Sequence, residues 1–129
     1  MLIHTPCSPG EVIDKITVLE IKLEMISDEG KLENVRSEHR LLTEALESAV
    51  QLTPEVIALK EELGRINKSI WDSEDAVRAF WNDDQKFLDG ARNSHYMNDE
   101  RARVKRMINE LLGSSIKEEK FHPKYEHKG

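Results

Sequence analysis

The stretch from Ser8 to Ile26, SPGEVIDKITVLEIKLEMI, constrains this chain more than any other. Ser8 can cap a first turn, Pro9 suits the first helical position because its missing N–H is not needed there, and Glu11 completes a Ser-x-x-Glu capping box. On a helical wheel Val12, Ile16, Leu19, Leu23 and Ile26 share one stripe, while Val18, Ile21 and Met25 form a second strip on nearly the opposite side. Only the arc holding Glu11, Asp14, Lys15 and Lys22 reads as solvated. A helix so apolar around its circumference must sit between other helices.

The rest of the chain supplies them. Ser27-Asp28-Glu29-Gly30 breaks the pattern, and a second helix from about 31 to 50 carries an apolar face of Leu32, Val35, His39, Leu42, Leu46 and Ala49. His39 in that face reads as a hydrogen-bonded interface residue. Thr53-Pro54-Glu55 repeats the cap-plus-proline signal after a connection of a few residues, which predicts an antiparallel hairpin of the second and third helices. The third helix, about 54–81, has a seam of Leu59, Leu63, Ile66, Ile70, Ser73, Val77 and Phe80. At ~1.5 Å per residue it spans about 40 Å, longer than a compact globule of this size needs, so the hairpin is expected to project.

Asn82-Asp83-Asp84 begins a shorter helix, about 84–96, containing Gly90, and Asn98-Asp99-Glu100 begins a last one, about 99–112, stopped by Gly113. The tail 114–129 is expected to be largely irregular. The fold class is therefore all-α: one domain, an elongated bundle of about five helices. An aromatic content of 5% against 34% charged residues agrees with narrow helical packing and wide solvated faces.

Charge and composition limit the partners. A net charge of −6 argues against a general affinity for nucleic-acid backbones. No apolar run approaches the roughly 18 residues of a membrane span, and the first residues, MLIHTPC, lack the features of a signal peptide. A single cysteine, Cys7, excludes an internal disulfide, so the expected location is cytoplasmic.

Two charges look misplaced. Glu20 falls on the apolar arc of the first helix between the directions of Ile16 and Ile13, and Arg101 falls between Ile108 and Leu112 in the last. Because an unpaired buried charge is costly, a Glu20–Arg101 pair is expected, either as a latch fixing helix register or as the core of a polar site. Asn67, Trp71 and Glu74 lie at i, i+4 and i+7 beside the third-helix seam, a strip able to hold a polar ligand against an indole face or to form the polar margin of packed helices. Ser8 and Gly10 at the first helix start offer free N–H groups to an anion, although capping alone explains the motif. The histidines share no zinc-like spacing, Asp72, Glu74 and Asp75 lack further ligands, and no cofactor or metal is implied.

Two blocks carry a resemblance. Ser8 to Lys22 with Lys31-Leu32-x-Asn34-Val35-Arg36, and Asn98-Asp99-x-Arg101-Ala102 through Ile108-Asn109-x-Leu111-Leu112-Gly113-Ser114 to Glu118-Glu119-Lys120, resemble an uncharacterised family of short bacterial and phage helical proteins, a domain of unknown function. The resemblance implies a helical fold, no known activity, and a unit formed by the first and last helices, picking out Asp14, Lys15, Glu20, Arg101 and Lys105. Ile13-Asp14-Lys15-Ile16 is also similar to the opening of helical chorismate mutases, but the arginine such enzymes carry on that helix is missing, and only the fold is analogous.

The expected function is a helical protein-protein interaction or assembly module, self-associating as a homodimer through its heptad seam or docking another helical protein. The alternative is an enzyme or binder for an anionic small molecule between the first and last helices, with Glu20, Arg101 and Lys105 as its working groups.

Overall fold

The computed structural model describes residues 1–125 and contains four helices, α1 (Pro9–Met25), α2 (Glu29–Ala49), α3 (Pro54–Ala79) and α4 (Asp84–Leu111). Each start follows the written signal: the side chains of Ser8, Asp28, Thr53 and Asp83 accept from Glu11, Lys31, Val56 and Lys86 backbone N–H groups. α1 is central. All three other helices pack against it, α2 on one side and the α3–α4 pair on the other, as its nearly all-round apolar surface requires.

The two helices expected at 84–96 and 99–112 are one. Asn98 does not cap a new helix; its Nδ2 donates to the Ser94 carbonyl one turn back. Met97 packs on the core and Val104 and Ile108 lie within it, so an unbroken helical period aligns all three. The helix closes where Gly113 takes φ 65°, with Gly113 N–H on the Glu110 carbonyl and Ser114 N–H on that of Asn109.

The hairpin also differs from expectation. α2 makes no close backbone contact with α3 or α4; its backbone neighbour is α1, and it reaches the shared core through Leu46. The link between α2 and α3 is extended at Val50 and Thr53, so the chain leaves α2 without folding back on it. The antiparallel hairpin is α3–α4, joined by a short turn and cross-linked from Glu62–Arg103 to Ser69–Asn93. α1 lies across this hairpin rather than along it: its first turn meets α4 at Lys105 and Asn109, and its second half meets α3 at Lys60.

The core joins Ile13 and Ile16 of α1, Leu46 of α2, Val56, Leu63 and Ile66 of α3, and Val104 and Ile108 of α4. Full burial of such side chains stabilises by roughly 1.5–3 kcal/mol each. No member of this cluster or of its apolar margin lies between Ile70 on α3 and Met97 on α4. The distal part of the hairpin therefore projects from the core. It is held by small and polar side chains: Asn93 Nδ2 donates to Ser69 Oγ (3.2 Å) and Ser73 Oγ (2.6 Å), and Ser94 Oγ donates to Glu74 Oε1 (2.9 Å). A Cβ on Gly90 would sit 3.2 Å from the Ser73 carbonyl oxygen, a measure of how closely the backbones approach.

The seam residues Leu63 and Ile66 are buried within the chain's own core, with Leu59 and Ile70 partly buried against it. The expected irregular tail is found over residues 114–125; 126–129 lie outside the described residues. No helix of the described residues is long and apolar enough to cross a membrane.

Candidate functional site: a polar crossing of the first, third and fourth helices

Asp14, on the arc that reads as solvated, is the most deeply buried charge in the described chain, 1% exposed. It sits where α1 crosses the hairpin and reaches both of its helices. Arg101 Nε donates to Oδ1 (2.8 Å) and Nη2 to Oδ2 (2.5 Å), a bidentate pair, while Asn67 Nδ2 donates to Oδ1 (2.9 Å) and to Thr17 Oγ1 (2.8 Å). Burial alone pushes the Asp14 carboxyl up, but the hydrogen bonds from Arg101 and Asn67 and the positive charges of Arg101 and Lys105 hold it below the usual carboxylate range. The Asp14 bond conversely raises the Arg101 guanidinium.

Lys105 lies one turn further along α4, its side chain 9% exposed. Its Nζ donates to Glu11 Oε2 (2.7 Å) and pairs with Glu118 of the tail (2.9 Å). Burial pushes this ammonium down; the two carboxylates outweigh it and its pKa is raised. Beside it α1 comes against the α4 backbone at Gly10, where a Cβ would stand 2.6 Å from the Lys105 carbonyl oxygen and 2.7 Å from Asn109 Oδ1. Only glycine allows that approach, and the Gly10 N–H donates to the same Asn109 oxygen (2.7 Å).

The expected Glu20–Arg101 pair is absent. Glu20 accepts from Lys60 Nζ (3.4 Å), stands 3.3 Å from His39 Nε2, and keeps its side chain 43% exposed. Its azimuth on α1 is apolar, but it lies where the helix has passed over to α3 and is open on one side. Arg101 goes to Asp14 instead. The resemblance-based link of first and last helices holds, through Asp14 rather than Glu20.

The other candidates divide. Asn67 joins the crossing, Glu74 serves the hairpin through Ser94 and an ion pair with Arg78 (3.4 Å), and Trp71 between them is partly buried with no hydrogen-bond partner for its Nε1. Ser8 caps Glu11 N–H (3.2 Å), while Gly10 is a packing contact and offers no N–H to an anion. His39 is the hydrogen-bonded interface residue expected of it. Among the described residues no group of three His, Cys, Asp or Glu is placed to hold a metal ion, and Cys7 is exposed.

The helical wheel left Asp14 on the solvated arc, although the resemblance picked it out, and gave Thr17 and Asn109 no role. For Asp14 and Thr17 a signal was present in the spacing Gly10, Asp14, Thr17: small or short side chains three or four residues apart, on the side of α1 that meets α3 and α4. Chemically the crossing is a neutralised latch, in which Arg101 pairs with Asp14 and Lys105 with Glu11 and Glu118.

Residues 3–124 match a family described as a family of unknown function (DUF6165). Neither a curated protein nor a solved structure matches the chain.

Proposed function

We propose that this chain, which belongs to the family of unknown function DUF6165, is a helical protein-protein interaction module that docks through the tip of its α3–α4 hairpin. The carrying observation is that tip. It lies beyond the apolar core, yet Phe80, Trp81 and Leu88 are 39%, 65% and 43% exposed, and Trp81 is held edge-on to Phe87 with ring centroids 5.1 Å apart. Aromatic anchors fixed by their neighbours and open to solvent are what interface centres are built from.

Charge selects the partner. Between residues 72 and 92 six acids, Asp72, Glu74, Asp75, Asp83, Asp84 and Asp89, surround the aromatics against three bases, Arg78, Lys86 and Arg92. Two copies meeting tip to tip would bring like charges together, so the favoured occupant is a different protein with an apolar groove rimmed by Lys and Arg. Self-association is further disfavoured because the heptad seam is occupied within the chain. The reading as a binder of anionic small molecules has less support, since the cations at the crossing are matched by internal carboxylates.

A photo-crosslinker at Leu88, with Trp81→Ser as its paired variant, tests the proposal alongside light scattering of the purified chain. Expected are a monomer, and a crosslinked partner whose binding falls at least tenfold in the variant and weakens with salt. A dimer that Trp81→Ser dissociates, or a partner indifferent to both Trp81→Ser and salt, would overturn it.

A further inference from the structure

The tail after Gly113 turns back over α4 and is held there by polar contacts. Ser114 N–H reaches the Asn109 carbonyl (2.8 Å), Glu118 pairs with Lys105 (2.9 Å), Lys120 pairs with Asp99 (3.7 Å), and the Tyr125 hydroxyl donates to Asp99. Every residue from 115 to 125 is exposed. The strap is also seated over space: one cavity of about 530 Å³ is lined by Arg106, Asn109, Lys117 and Glu118, and another of about 990 Å³ by Tyr96, His122 and Tyr125 among others. An apolar anchor is missing from this attachment, since Ile116 and Phe121 are 44% and 98% exposed.

Beneath the strap lies a side chain of another kind. The Lys105 side chain is nine-tenths buried, and its ammonium is held by Glu11 of α1 (2.7 Å) and by Glu118 of the strap (2.9 Å). If Glu118 leaves, Arg101 and Lys105 are balanced by Asp14 and Glu11, so the latch stays intact while one coordination direction of Lys105 becomes free. Of the charged groups lining the adjoining cavity, Arg106 and Glu110 belong to α4 and stay when the strap leaves, so the unpaired direction of Lys105 decides what binds there.

We propose that this face of α4 is a docking site for the carboxylate of a glutamate on a segment of a partner protein, and that Glu118 occupies it as an intramolecular stand-in. Glu118 already shows the mode of recognition: a glutamate presented from extended chain onto a buried, oriented ammonium, with contacts on α4 to either side. Because the strap is tethered, it competes at an effective concentration on the order of millimolar, and an outside segment engages once the strap lets go. This inference is independent of the hairpin tip, which lies at the other end of α4.

The test uses the full chain and a synthetic peptide with the sequence of residues 114–121. Glu118→Gln is expected to bind the peptide at least tenfold more tightly than the intact chain does, and Lys105→Met added to Glu118→Gln is expected to abolish the gain. Equal affinity of intact and Glu118→Gln chains, or undiminished affinity without Lys105, would overturn the proposal. A second readout does not depend on the Lys105 variant folding: acylation of Lys105, followed by mass spectrometry, should rise several-fold in Glu118→Gln, and an unchanged rate counts equally against it.

Discussion

Asp14→Asn isolates the crossing. The substitution conserves shape, removes the charge and converts one oxygen into an N–H₂ donor. If the remaining oxygen stays at the Oδ1 position it still accepts from Asn67 and Arg101 Nε, but the new amide then faces Arg101 Nη2, donor against donor. The flipped amide is worse, since it loses both bonds at Oδ1. Breaking a fully buried ion pair costs about 3–5 kcal/mol. The Arg101 side chain remains 32% exposed, so water takes over part of its solvation and the lower end applies, about 3 kcal/mol. For a chain of this length that is a fall in Tm of about 10 °C. Urea unfolding followed by far-ultraviolet circular dichroism should show a lower midpoint with an unchanged m-value. Arg101→Met placed in both backgrounds completes the cycle: the two substitutions should couple by about 2 kcal/mol. An Asp14→Asn loss below about 0.5 kcal/mol, the range of ordinary surface changes, or an Arg101→Met cost that is the same in both backgrounds, would refute the assignment of Asp14 and Arg101 as the latch.

Further outcomes follow from neighbouring geometry. Gly10→Ala drives a methyl against the Lys105 carbonyl oxygen and Asn109, and should cost about 2 kcal/mol of overpacking net of any gain in helix propensity, read as a shift of the urea midpoint. The pH profile of Tm should have two limbs with separate owners. The folded pKa of Asp14 lies below its ordinary value of 3.8, so its stabilisation is complete above that value and is lost as pH falls through the folded one; Asp14→Asn flattens this acid limb. The folded pKa of Lys105 lies above its ordinary 10.5, so its stabilisation is complete below that value and is lost as pH rises through the folded one; Lys105→Met flattens the alkaline limb.

Much of this fold is legible in the sequence because local signals coincide with the tertiary demand. The Ser8 capping box, the Thr53-Pro54 start and the all-round apolar surface of α1 lead to a central helix with partners on two sides, and that is the arrangement observed. A helical wheel gives azimuth and nothing about position along the axis. For a helix lying across a hairpin, both matter. Asp14 lies at the crossing and is sealed by α3 and α4, whereas Glu20, on an apolar azimuth, lies past it and stays half open. Asn98-Asp99-Glu100 has the composition of a helix start, and only the tertiary requirement that Met97 and Val104 share one face decides that the helix runs through it. The ownership of the α3 seam is likewise invisible to periodicity, which is the same whether the facing helix belongs to this chain or to another.

The serine and asparagine fastening of the distal hairpin has a consequence for how the molecule opens. Apolar packing sets the free energy of opening in the body, but between Trp71 and Tyr96 the two helices share close backbone approach and a few hydroxyl and amide bonds. Stability should therefore grade along the length of α3 and α4. Amide hydrogens near Phe80 and Leu88 would exchange through sub-global opening, while those near Leu63 and Val104 wait for global unfolding. The distal hairpin is thus a cooperative unit of its own, able to fray and re-zip while α1 and α2 remain in place, and anything that grips its end would be registered first as slowed exchange at Asn93 and Ser94.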